Sequence, residues 1–225
     1  MNDVSRETPV APPAPASAQG VFGSALPTVE RFAAFLAGDG VVHGLIGPRE
    51  VPRLWERHLV NCAVLAEVLP HRATVADLGS GAGLPGLVLA IVRPDLQITL
   101  VEPLLRRTSF LEEVVAALRL DHCEVVRARA EELHGHRDFE IVTSRAVAPL
   151  SRLLGWSMPL VAPGGALVAM KGSRAEEEIV QAGAEVRRFR CDVPEVLRLG
   201  AEAPASLDPP TTVVRVVRRD RGVRG

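Results

Sequence analysis

The chain predicts an α/β fold: a mostly parallel, seven-stranded Rossmann-like sheet with helices on both faces, preceded by an N-terminal helical extension. Three observations carry this. From Ala73 onward, short apolar runs alternate with segments of helical period, the pattern of successive βαβ crossovers. The first of those runs leads directly into a glycine turn, Asp77-Leu78-Gly79-Ser80-Gly81-Ala82-Gly83-Leu84-Pro85-Gly86, and then into a helix. Before Ala73, apolar residues recur only at helical spacing.

Residues 1–24 are rich in proline, alanine and serine and are expected to form a disordered tail. Leu26, Val29, Phe32, Ala33 and Leu36 mark a helix over 26–37, ended by Gly38-Asp39-Gly40. A second helix is expected over 50–69, where Leu54, Trp55, Leu59, Cys62, Leu65 and Leu69 form an apolar face. Together these make an extension spanning 25–70. Arg49, Arg53 and Arg57 are four apart and would align along the opposite face, with His58 beside them as a candidate base. Such a row can hold phosphates; the plainer reading is a solvated face paired with Glu50 and Glu56.

A sheet domain then occupies 71–218. Strands are expected at 73–77, 97–101, 122–126, 139–143, 166–170, 184–190 and 212–217, with helices over 84–93, 106–118, 149–160 and 175–183. Pro163-Gly164-Gly165 reads as a turn and 192–210 as a proline-rich connection, so the last two strands should pair antiparallel. A basic tail, 219–225, closes the chain.

Composition narrows the function classes. With 47% hydrophobic residues the chain can bury one substantial core. A net charge of −1 gives no global field for nucleic acid, although Arg215, Arg218, Arg219, Arg221 and Arg224 crowd the C-terminus against Asp220 alone. Cys62, Cys123 and Cys191 are far apart, which argues for a reducing, cytoplasmic setting and against a disulfide framework or zinc site. His134 and His136 have no third ligand nearby, so no metal is expected. No signal peptide or membrane span is expected either. Lys171 is the single lysine among 26 basic residues, a hint that its position needs an ammonium.

In an open α/β sheet the ligand sits beyond the carboxyl ends of the strands. Gly81, Gly83 and Gly86 satisfy G-x-G-x-x-G for a dinucleotide, whereas Asp77, Gly79, Gly81 and Gly83 satisfy the acidic residue plus G-x-G-x-G of an S-adenosyl-L-methionine site. Asp77 leans toward the second, because a carboxylate repels pyrophosphate and suits an ammonium. Glu102 ends the second strand, placed to accept from the hydroxyls of a ribose. Ala130 and Glu131 follow the third, Arg145 ends the fourth and Lys171 the fifth. No Ser/His/Asp or Cys/His set converges on this rim.

These strand-end residues resemble the class I S-adenosyl-L-methionine-dependent methyltransferases. The glycine motif continued by Leu84-Pro85-Gly86, Ile91-Val92-Arg93-Pro94, Glu102 with Arg106-Arg107 and Phe110-Leu111, Ser144-Arg145-Ala146, and Met170-Lys171-Gly172 together resemble, more narrowly, the ribosomal RNA small subunit methyltransferase G family. The resemblance implies N7 methylation of a guanine in 16S rRNA, guanine 527 in the 530 loop, by a monomer that engages the small ribosomal subunit. It puts Gly79 and Leu84 in the methyl-donor pocket, Ala130 and Glu131 beside the adenine, Arg145 at the reaction centre in contact with the donor, and Lys171 at the RNA-facing rim; the residue patterns above add Asp77, Gly81, Gly83 and Glu102 to the donor site and Arg106, Arg57 and Arg53 toward RNA. Asn61-Cys62 departs from the family's usual Asp-Ser, which argues against a carboxylate from that helix. Alternatives are a methyltransferase for another RNA or a small molecule, and a binding module without catalysis.

Overall fold

The computed structural model describes residues 10–220 except Ala146 and Ala203. Seven strands run in the order β3-β2-β1-β4-β5-β7-β6. They are β1 (Thr74–Leu78), β2 (Gln97–Val101), β3 (Cys123–Val126), β4 (Phe139–Arg145), β5 (Val161–Lys171), β6 (Glu195–Leu199) and β7 (Thr211–Val217). The first five pair in parallel; β7 lies antiparallel to both β5 and β6. The order reverses at β1, with β2 on one side and β4 on the other, and a crevice opens at such a switch point.

Alternation along the strands separates two cores. Val75, Ile98 and Leu100 face one layer with α2 (Leu26–Ala37), α5 (Gly86–Val92) and α6 (Leu105–Leu118). Ala76, Leu78 and Val142 face the other with α7 (Leu150–Ser157), where Leu150, Leu153 and Leu154 are buried. Phe32 and Phe110 are almost fully buried, each contributing about 1.5–3 kcal/mol of hydrophobic stabilisation.

Several expected elements shift. Residues 10–24 are not a loose tail: α1 (Ala18–Phe22) buries Ala18 and Phe22, and Trp55 Nε1 donates to Pro12 O at 2.8 Å. Residues 1–9 and 221–225, including Arg221 and Arg224, lie outside the described residues. The expected helix over 50–69 is a chain of unlike turns: 3₁₀ over Pro48–Arg53, π over Leu54–Val60, α over Asn61–Ala63 and 3₁₀ over Val64–Val68. Pro52, inside the first turn, removes a donor there, and the changing pitch breaks the expected arginine row.

β5 runs through Pro163-Gly164-Gly165 instead of starting after it, because Gly164 takes a φ of 77° and the register against β4 shifts there. The sixth strand is not 184–190. Ala182, Val186 and Phe189 are at helical spacing, and Gly183–Arg188 forms a helix, α9, following α8 (Ala175–Gln181). The strand is Glu195–Leu199 in the supposed connection, and it pairs antiparallel with β7 as the loop between them requires.

Candidate active site

The glycine turn leaves β1 in left-handed backbone that β-carbons disfavour: Gly79, Gly81 and Gly83 have φ of 69°, 56° and 86°. Gly83 N and Leu84 N both donate to Ser80 O, and Gly79 N donates to Val101 O on β2. Asp77 stands beneath this turn, 1% exposed. Its Oδ2 accepts from Gly86 N at 3.0 Å, while Oδ1 has no hydrogen-bond partner among the described residues. Burial pushes this carboxyl up to about 7, against hydrogen bonds from Gly86 and Ser80 that favour the anion. Asp77 and Gly83 therefore shape the turn from below; Gly79, Gly81 and Leu84 line the cavity above it.

This burial sets a pH signature. Because the folded state holds the Asp77 proton more tightly than the unfolded chain, its contribution is full below about pH 4 and is lost as pH rises toward about 7. Asp77→Asn is expected to flatten the fall in melting temperature between those values, checked by thermal unfolding of both proteins across that range; an unchanged slope would contradict it.

Three cavities open along the carboxyl edge of the sheet. One, about 560 Å³, is lined by Glu102, Ala130, Glu131, Val147 and Trp156. Glu102 is 1% exposed; Oε2 accepts from Gly81 N and Oε1 from Leu104 N, both at 3.1 Å. Arg107 approaches the same carboxylate at 3.5 Å and lines the cavity, while Arg106 is exposed on the outer side of α6. Gly79 lets Val147 close over the turn: a β-carbon there would lie 3.0 Å from Val147 Cγ2. Trp156 carried no sequence signal; α7 brings it here, and its carbonyl accepts from His134 Nε2 at 2.9 Å. A buried carboxylate beside an apolar slot fits the ribose and base of a nucleoside.

The second cavity, about 420 Å³, is lined by Glu50, His58, Gly79, Gly81, Leu84 and Arg107. The third, about 960 Å³, is lined by Arg57, Asn61, Pro149, Lys171, Arg174 and Arg198. Arg145 reaches all three. Its guanidinium meets His58 Nδ1 at 2.8 Å, and His58 Nε2 meets Glu50 Oε2 at 2.9 Å. A carboxylate of the extension thus does come to the site, from Glu50 instead of position 61.

The other expected cations separate. Arg57 is exposed, lies 3.6 Å from Glu50 and faces two cavities, whereas Arg53 faces none of the three. Lys171 is not a free rim cation. Its side chain is 7% exposed, and Nζ donates to Ala148 O at 2.6 Å and Glu178 Oε2 at 2.8 Å. The same Glu178 oxygen accepts from Leu150 N at the start of α7. Lys171 therefore braces the loop after Arg145 against α8, a closed space suited to a compact ammonium. Among the described residues no group of three or more His, Cys, Asp or Glu is placed to hold a metal. All three cysteines are free and buried, and among the described residues no helix is long and apolar enough to cross a membrane.

The chain is 66% identical over 222 residues to a ribosomal RNA small subunit methyltransferase G of Nocardioides sp., covering 98% of this chain and 86% of that one. It is 58% identical over 200 residues to the protein of the same name in Thermobifida fusca, covering 89% and 83%. In fold it matches a precorrin-6y C5,15-methyltransferase from Geobacter metallireducens at a TM-score of 0.51 and 14% identity, covering 78% of this chain and 91% of that one. A family model described as rRNA small subunit methyltransferase G matches residues 25–202, which contain the glycine turn, Glu102, Arg145, Lys171 and the whole of the 25–70 extension. The chain belongs to the rRNA small subunit methyltransferase G family.

Proposed function

We propose that this protein transfers a methyl group from S-adenosyl-L-methionine to N7 of a guanine in 16S rRNA, guanine 527 of the 530 loop, acting as a cytoplasmic monomer on the small ribosomal subunit. The observation that carries the reading is the meeting of three cavities at Arg145, one shaped for a nucleoside, one over the glycine turn, and one large enough for an acceptor base. The names of the relatives support rRNA as the acceptor.

S-adenosyl-L-methionine, when bound, supplies an electrophilic methyl group. Glu102 would accept from its ribose, displacing the weaker approach of Arg107. Ala130, Glu131 and Trp156 would enclose the adenine, and the cavity over the glycine turn would receive the methionine part. Guanine N7 has an in-plane lone pair and no proton, so no general base is required. The Glu50–His58 pair that the fold brings to this rim therefore has no proton to remove from the acceptor. Rate then comes from orientation and exclusion of water, on the order of 7–11 kcal/mol for well-held reactants. The third cavity would receive the base from an unpaired loop, with Arg57, Arg174 and Arg198 toward phosphates.

The direct test is methylation of small subunits that lack the mark, with the product base mapped; modification of no ribosomal guanine would overturn the proposal. Glu102→Ala separates the cofactor part. It is expected to weaken S-adenosyl-L-methionine binding by about 10- to 100-fold in calorimetry, the loss of charge-assisted hydrogen bonds in a dry site. Unchanged affinity would remove Glu102 from the ribose.

A further inference from the structure

We infer that His58, held in its Nε2–H tautomer by Glu50, is a positioning residue that aims the Arg145 guanidinium at the junction of the three cavities. The inference rests on Arg145 acting at the reaction centre, as proposed above, and adds a part of the extension to that machinery.

The geometry leaves one assignment. A guanidinium has donors only, so where Arg145 meets His58 Nδ1 at 2.8 Å the ring nitrogen must offer a lone pair. The remaining ring proton is then on Nε2, where Glu50 Oε2 waits at 2.9 Å. Glu50 is an acceptor, His58 passes a fixed tautomer inward, and Arg145 receives a fixed direction. His58 is 8% exposed, so water does not compete freely for either nitrogen. Glu50 and His58 come from the irregular helical segment and Arg145 from β4, 87 positions from His58 in the chain. Over Leu54–Val60 the segment carries His58 on its buried side, with Leu54, Trp55 and Leu59, while Arg57 stays exposed.

A protonated ring cannot accept, and it would place a second cation against Arg145. The charged groups facing His58 are Glu50 on its own segment, its neighbour Arg57, Arg145 from β4, and Arg107 across the same cavity from α6. Three of these four are cations. Burial and the Arg145 charge both hold the ring below the ordinary histidine range, and Glu50 opposes them only in part. Arg145 is therefore held at neutral pH and released as the solution becomes acidic.

Two measurements test this. In protein labelled with ¹⁵N-histidine, the His58 ring is expected to show the Nε2–H tautomer near neutrality, and its titration midpoint should rise in Arg145→Leu. An Nδ1–H ring, or the same midpoint in both proteins, would overturn the inference whether or not any RNA is methylated. In the methylation assay, His58→Phe should lower kcat by about 10- to 100-fold, the scale of a small misplacement, with little change in cofactor affinity. His58→Asn, which offers an amide oxygen near the Nδ1 position but does not titrate, should restore most of that loss and remove the acid limb of the kcat profile. An acid limb unchanged in His58→Asn would also overturn it. Failure of the parent protein to methylate any rRNA, with the tautomer and midpoint as expected, would instead sink the proposed reaction.

Discussion

Arg145→Ala is expected to lower turnover by about 10²–10³-fold, the scale of removing one preorganised donor from a water-poor site. Cofactor affinity should fall far less. The asymmetry follows from position. Arg145 lines the nucleoside and turn cavities, where Glu102 and the cavity walls would also hold the donor, but on the proposed reading it would flank the incoming base in the third cavity. Its loss also strands His58 Nδ1 without a donor, and leaves buried Asp77 without the favourable charge of that guanidinium. Single-turnover methylation beside calorimetry of S-adenosyl-L-methionine checks this. A variant within a few-fold of parent turnover would remove Arg145 from the reaction centre.

Gly86→Ala should have the second large effect, on the cofactor. Its φ is ordinary, so the objection is space alone. A β-carbon there would meet the Leu100 side chain, and would lie 2.7 Å from Asp77 Oδ2 and 2.9 Å from Asp77 Cβ. Asp77 cannot retreat, because it is walled in and bonded to the amide of this same residue. Overpacking of this kind costs about 1–3 kcal/mol, and the turn above must shift to relieve it. The expected outcome is a protein that still folds, melts several degrees lower and no longer binds S-adenosyl-L-methionine measurably. Binding at parental affinity would mean that the turn tolerates the shift.

The parts of the site legible in the sequence are those built by neighbours in the chain. Asp77 and the glycines announce the turn, and Glu102 announces itself by ending a clear strand. Other parts depend on where distant elements meet. Glu50 reads as the partner of a solvated arginine face and His58 as a candidate base beside it; that the two join Arg145 depends on where β4 meets the extension. For Lys171 the sequence offers only a hint of a required ammonium; its internal acceptor pair depends on the approach of α8 to β5. The sixth strand was missed because 184–190 satisfies both periods. Packing of Val186 and Phe189 under the sheet decided for helix, while Val196 and Leu199 paired with β7.

The extension has a consequence for how such a protein is taken apart. Its core is continuous with that of the sheet, residues 10–24 are clamped to it through Trp55, and Asn61 reaches Thr211 on β7. Glu50, His58 and Arg57 also stand on the cavity walls. The chain therefore does not divide into a recognition module and an interchangeable catalytic cassette. A chimera that exchanges the first 70 residues with a relative exchanges part of the active site, and must carry compatible partners at Arg145 and Thr211 to work.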